Sequence, residues 1–292
     1  MNLDILAACM AATVERAVHV KQIFSADGLC YLQFEHLAAC PELVHGIFTR
    51  LGGHSAAPFT GLNTSFSTGD DYTTVMKNRQ LMARALDIDR ERTATVAQAH
   101  GCDVCIIGKD WTRPQALPRA DILITTRDCN YHLVMAFADC APLLLYDRRH
   151  GVIALAHAGW RGTAQGVALH TVRALIDRFT SDPADLLVGI GPAIGMCCYE
   201  VGNDVYKRFQ DNPTIAETAV FTEPTADGHW RLDLWESNRR QLIYAGVPEA
   251  QIAVAGICTA CHTDLFFSHR REQGHTGRFP VVIGFRNQAS ER

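Results

Sequence analysis

Cys140 and His157 each stand just past an apolar run, the first ending VMAFA and the second ALA, with a turn signal at residues 147–151 between them. Two adjacent strands joined by that turn would deliver a thiol and an imidazole to the same end of a sheet. The Gly-Trp-Arg-Gly that follows His157 adds backbone N–H groups and the guanidinium of Arg161 beside them. His100, in Gln-Ala-His-Gly, joins this set if the fold brings it there. Two imidazoles and a thiolate are the donors zinc favours, and three protein ligands leave a fourth tetrahedral position for water or substrate. Copper binds the same donors, so spacing alone does not select the metal. Two other readings stand beside this one: Cys140 as a nucleophile with His157 as its base, for which Asp139 is a poor orienting group because strand neighbours face opposite ways, and three satisfied interior side chains.

The remaining cysteines carry weaker signals. Cys102 and Cys105 alternate along a strand-like CDVCII, which points them to opposite faces. Cys258-Thr-Ala-Cys261-His262 has the most metal-like local spacing in the chain, but no second C-x-x-C supplies the missing ligands, so it reads as structural rather than metal-binding. Eleven cysteines, an odd number scattered through a chain of 292 residues that is too long to need disulfide staples, predict a reducing, cytoplasmic setting. LAAC at residues 6–9 mimics a lipoprotein processing box, yet Asp4 precedes it and no Lys or Arg does, which predicts no processing there. Net charge is −4 without a long single-sign run, and no apolar stretch reaches membrane-spanning length; neither nucleic acid nor membrane is expected as a partner.

The elements that must position these residues follow from periodicity. Residues 1–27 show helical spacing and read as an N-terminal extension; residues 28–292 read as a single catalytic domain. A strand ending near 48 runs into a long polar loop, TRLGGHSAAPFTGLNTSFSTGDD, from which Arg50 and Asn63 are the candidates to touch substrate. Asp70 or Asp71 caps a helix carrying Val75, Asn78, Leu81, Met82 and Leu86. Strands are expected near 120–126, 131–137, 143–146, 152–156, 186–190, 252–257 and 279–285, a further one at LFFSH, and a helix after Gly162 capped by Thr163. With strands outnumbering helices and no repeat or linker, the fold class is α/β: a single layered sandwich of mixed β-sheets flanked by helices.

Nine segments carry a resemblance: FTRLGG (48–53), GLNTSFSTGDD (61–71), QAHG (98–101), ADCAPLLLYD (138–147), HAGWRGTAQG (157–166), GIGPAIGMCCYEVG (189–202), LDLWESNRRQL (232–242), CTACHTDLFFSHRR (258–271) and TGR (276–278). In this order they resemble the YfiH-type, laccase-domain family, also called polyphenol oxidase or multicopper-oxidase-like, from about residue 29 onward. The resemblance implies a zinc-dependent purine nucleoside phosphorylase with adenosine deaminase side activity, acting on adenosine, inosine and methylthioadenosine. It implies His100, Cys140 and His157 as the metal ligands, zinc as the usual ion, and a layered α/β sandwich. Ala99 and the CNYH at 129–132 depart from the family pattern without touching a ligand. For phosphorolysis, the glycine-rich turn and Arg161, helped by Arg50, suit phosphate. Asp139 is the candidate acid or base, or else the group that fixes a histidine tautomer. The older family name suggests a copper-linked phenol oxidase, disfavoured because no H-x-H motif occurs, and a third reading is a peptidoglycan-precursor editing or binding role.

Overall fold

The strand-forming segments differ in pattern, and the difference sets the layering. In β8 (Ala141–Asp147) and β9 (Val152–Ala158) every residue is buried, so the alternation is not between core and solvent but between two cores. Leu144, Tyr146, Ile153 and Leu155 enter one apolar cluster, while Leu143, Leu145, Val152 and Ala154 enter another. A strand covered on both faces reads as a continuous apolar run, which is how these two appear in the sequence. Each fully buried Leu or Phe side chain contributes about 1.5–3 kcal/mol.

The computed structural model describes residues 19–286. Numbering strands along the chain, one six-stranded sheet has the order β1 (Val20–Phe24), β2 (Cys30–Phe34), β3 (Leu43–Phe48), β14 (Phe279–Phe285), β7 (His132–Phe137) and β4 (Thr93–Ala94). The other runs β13 (Ile252–Val254), β10 (Leu186–Ile190), β8, β9, β6 (Ile122–Thr126) and β5 (Val104–Ile107). Both are mixed: β4 pairs parallel with β7, β5 with β6 and β10 with β13, against antiparallel neighbours elsewhere. The sheets face each other across the cluster that holds Phe34, Leu133, Phe137, Tyr146, Leu155 and Phe279. After the short helix α1 (Glu35–Ala38), α2 (Tyr72–Ala85) packs Met82 against the outer face of the first sheet. The second sheet is covered by α4 (Val167–Phe179) and α7 (Leu234–Tyr244), through Val172, Leu175 and Leu242. A lesser apolar cluster gathers α3 (Trp160–Gln165), α5 (Asn203–Gln210), α6 (Pro213–Thr218) and the two-stranded β11 (Glu200–Val201) and β12 (Trp230–Arg231). The architecture is the expected sandwich of mixed sheets flanked by helices. Among the described residues no helix is long and apolar enough to cross a membrane.

Several local expectations are corrected. The extension drawn as 1–27 includes β1, which pairs with β2 from Val20 to Phe24 and so is part of the sheet; the rest of its helical pattern, and the LAAC sequence, lie outside the described residues. Thr163 is no cap. Gly159 occupies the N-cap of α3, and Gly166 at φ +86° turns the chain into α4, a conformation that costs a glycine little. Thr163 instead lies inside α3, where its hydroxyl accepts from Asn238 Nδ2 at 3.0 Å. LFFSH forms turns rather than a strand; its Leu265, Phe266 and Phe267 enter the core consecutively, which turns allow and an alternating strand would not. Asp71, not Asp70, caps α2, accepting from Thr74 N–H at 2.7 Å.

Candidate metal centre

The hairpin β8–β9 behaves as its spacing requires. Pro142 opposes His157 and Ala141 opposes Ala158, so Cys140 arrives one residue before the paired region, at the end where His157 also sits. Asp147, fully buried, closes the far turn by accepting from the His150 amide at 3.0 Å and pairing with its ring at 2.8 Å. His100 comes from the loop before β5, its backbone at φ +61°. That conformation lets three consecutive amides, of Ala99, His100 and Gly101, point at one carboxylate, Asp121, at 3.1, 2.9 and 2.7 Å. Asp121 stands at the start of β6 with no exposed surface, and its Oδ1 also binds His157 Nδ1 at 2.8 Å. One buried carboxylate thus sets the backbone of one histidine and the ring of the other.

The result is a compact donor set. Ligand atoms of His100, Cys140 and His157 lie within 4.8 Å of one another. The two imidazoles meet edge to face at 4.8 Å between centroids. His157 is buried and His100 exposed, so the set opens to solvent on one side. With Nδ1 of His157 donating to Asp121, Nε2 is left to coordinate, the outer-sphere arrangement that usually orients a metal-bound histidine. Gly159 makes room: a Cβ there would stand 2.8 Å from Cys140 Sγ and 3.3 Å from the His100 ring. Burial pushes the Cys140 thiol up, but the His157 charge and hydrogen bonds from both histidines outweigh it and bring it down to about 6. Burial works against the His157 imidazolium, yet the Cys140 thiolate and Asp121 raise it to about 9. Burial also opposes ionisation of Asp121, and the His157 hydrogen bond and the Gly101 amide overcome it, holding the carboxyl below its ordinary range. The Cys140 thiolate is therefore already in the form a soft divalent cation needs, His157 gives up its Nε2 proton as such a cation binds, and the set fits zinc.

Residues 44–286 match the family described as multi-copper polyphenol oxidoreductase laccase. The chain belongs to that family. It is 41% identical over 252 residues to "Purine nucleoside phosphorylase YlmD" of Geobacillus stearothermophilus, covering 84% of this chain and 91% of that one. It is 34% identical to "Purine nucleoside phosphorylase" of Bacteroides thetaiotaomicron, over 85% and 93% of the two chains. The crystal structure of YlmD from Geobacillus stearothermophilus superposes with a TM-score of 0.82 at 38% identity, covering 91% of this chain and all of that one.

Around the centre of this laccase-family chain, other expected residues take different places. Asp139 adopts φ +83°, in the left-handed region a non-glycine residue rarely enters. Its carboxylate accepts from the Thr259 hydroxyl and the Arg270 amide, each at 2.6 Å, and its carbonyl from Ile194 N–H at 2.9 Å. It ties three loops to the strand end that carries Cys140, and it is Asp121 that fixes the histidine tautomer. Asp121 also supplies the orienting carboxylate that the cysteine-nucleophile reading lacked. Asn63, fully buried, donates to Ser65 O, Thr68 Oγ1 and Asp70 Oδ2 and accepts from the Ser65 and Arg278 amides, which leaves no polar atom for a substrate. Arg50 is bound to Thr263 O and Glu272 Oε1, both at 2.9 Å, with its guanidinium 4.3 Å over the Phe267 ring. Both residues brace the loop at 263–278.

That loop and its neighbours carry what residue-by-residue reading missed. Arg278 donates from Nη2 toward His269 Nδ1 at 3.3 Å; burial lowers its pKa, against the pull of nearby Cys140, Asp139 and Glu272. Tyr199, buried, keeps its phenolic proton because burial and then Cys140 raise its pKa, and Arg270 lies 5.1 Å over its ring. Arg161 is exposed in the first turn of α3, stacked at 4.2 Å on Trp160. The SHRR and TGR motifs were the available signal for this wall. Asp121 had only an acidic residue at the head of an apolar strand to mark it.

Proposed function

We propose that this chain is a purine nucleoside phosphorylase of the cytoplasm, converting adenosine, inosine or methylthioadenosine and phosphate to the free base and the ribose 1-phosphate. The observation that carries the reading is the convergence of His100, Cys140 and His157 on one open-sided donor set beside a wall with Arg161, Arg270 and Arg278. The names of its relatives supply the reaction class.

Phosphorolysis brings a phosphate oxygen to the anomeric carbon while the C–N bond to the base breaks and the base gains a proton. Guanidinium groups suit the phosphate, offering a planar fork of donors to its oxygens. Arg161 and Arg278 have this role, and Arg50 supports it indirectly by holding the 263–278 loop through Glu272. Tyr199, protonated at neutral pH, is a hydrogen-bond donor for the leaving base. Asp139 positions Arg270 and Thr259 rather than exchanging protons with substrate. Zinc at His100, Cys140 and His157 would supply a Lewis acid and lower the pKa of water near neutrality, which suits deamination of adenosine as a side activity.

Purified protein incubated with inosine should release hypoxanthine only when phosphate is present, and Cys140→Ala should abolish the release. Release independent of phosphate, or full activity in the variant, would count against the proposal. Metal analysis and a phenol-oxidation assay on the same preparation test the copper oxidase reading, for which the sequence lacks the H-x-H motifs.

A further inference from the structure

Outside the centre described above, the fold assembles a second set of donors that the sequence spacing did not reveal. Cys258 and Cys261 lie on the loop after β13, and Cys197 and Cys198 on the turn before β11. All four Sγ atoms lie within 4.8 Å of one another, with Cys197 at 3.5 Å and Cys198 at 3.4 Å from Cys261. No disulfide joins the described cysteines, each of which is free.

We propose that Cys197, Cys198, Cys258 and Cys261 form a tetrathiolate zinc site, separate from the His100–Cys140–His157 centre. Zinc–sulfur bonds near 2.3 Å place tetrahedral sulfurs roughly 3.8 Å apart, a spacing this cluster can adopt with sub-ångström adjustments. A cluster of four irons and four sulfides would need its thiolates spread much wider. Each thiol gives its proton to solvent on binding, and no electron is transferred. The surroundings suit the resulting doubly negative centre. The amides of Gly195, at 3.2 Å, and Cys261 donate to Cys258 Sγ, the outer-sphere contacts that stabilise bound thiolates. The Arg231 guanidinium is fastened to the carbonyls of Met196 and Cys197, which brings a positive charge against the same turn.

The backbone is already laced at this point. Ala193 bridges Cys258 in parallel, Ala193 N–H donates to Ile257 O at 3.3 Å, and Thr259 N–H donates to Ala193 O at 3.0 Å. The proposed ion would close that lacing with four bonds. Its place gives it a purpose: Thr259, between the two cysteines of one loop, holds the Asp139 carboxylate, and Tyr199 follows Cys198 directly. The site therefore clamps together two loops that wall the first centre.

The test is zinc content and zinc-edge X-ray absorption of protein purified under reducing conditions without chelators. Wild type is expected to hold two zinc ions per chain, and Cys140→Ala one, with four sulfur neighbours. Cys261→Ser, altering an exposed thiol, should lose that ion while keeping the other. If Cys261→Ser does not fold, the spectrum of Cys140→Ala decides alone. Cys140→Ala protein with no zinc, with zinc bound by nitrogen and oxygen, with iron in its place, or with a Cys197–Cys261 disulfide in reduced preparations would overturn the proposal. This outcome is independent of phosphorolysis, because the tetrathiolate is read in the variant that lacks the first centre.

Discussion

Replacing Asp121 by Asn removes one charge and changes no volume, and the structure says why it should nevertheless be severe. Asp121 Oδ1 takes His157 Nδ1 and the His100 amide, while Oδ2 takes the Ala99 and Gly101 amides. An asparagine that keeps its oxygen in the Oδ1 position turns its NH2 onto two N–H donors. Leaving a buried donor unpaired costs about 1–3 kcal/mol, so with two donors this orientation loses roughly 2–6 kcal/mol of stability. The flipped amide satisfies Ala99 and Gly101 but faces His157 Nδ1 with a donor. That moves the imidazole proton to Nε2, the atom needed for the metal. Either way metal affinity should fall by about 10- to 100-fold, the usual cost of losing an outer-sphere partner. Urea unfolding of the metal-free protein and competition with a chromophoric zinc chelator measure the two effects. Should Asp121→Asn bind zinc within threefold of wild type and unfold at the same urea concentration, the carboxylate is not the organising group described here.

Gly159→Ala adds a Cβ 2.8 Å from Cys140 Sγ, and is expected to weaken metal binding at least tenfold with an unchanged circular dichroism spectrum; unaltered binding would show that the ligands have slack the structure does not. Asn63→Ala removes five hydrogen bonds from a fully buried amide and should cost about 2–4 kcal/mol, seen as a drop in melting temperature of several degrees, whereas a surface substrate contact would lower activity and leave stability alone. His45 supplies a pH test. Burial first, then His36 and Arg286, lowers its pKa to about 3, and Phe34 N–H donates to its Nε2, so the folded chain holds it neutral. Its contribution is present above the unfolded pKa of about 6.5 and is lost as pH falls from there toward 3, at about 1.4 kcal/mol per pH unit. Stability curves of wild type and His45→Gln should therefore diverge in slope below pH 6.5; parallel curves would exclude His45 as an acid-sensitive group.

Much of this chain is legible one residue at a time. Apolar runs marked β8 and β9 because both of their faces are buried, the turn at 147–151 set their pairing, and the position of Cys140 and His157 just past those runs carried both to one end. The nine family segments added His100 to them. What the sequence could not determine are relations between loops that periodicity does not connect. Asp121 matters because three amides of a distant loop close on its carboxylate, and that closure depends on the positive φ of His100. Arg50 and Asn63 sit in the loop expected at the site, yet the side-chain amide of Asn63 is consumed by the chain itself, and Nε and Nη1 of Arg50 are tied to Thr60, Thr263 and Glu272, which only the packed structure shows. The second cysteine pair is the sharpest case. Cys258 and Cys261 lacked partners along the chain because their partners arrive on the turn after β10, and the parallel pairing of β10 with β13 is what delivers both loops to the same end of the sheet. Local spacing encodes which donors exist; sheet topology, a non-local pairing of strands, decides which of them meet.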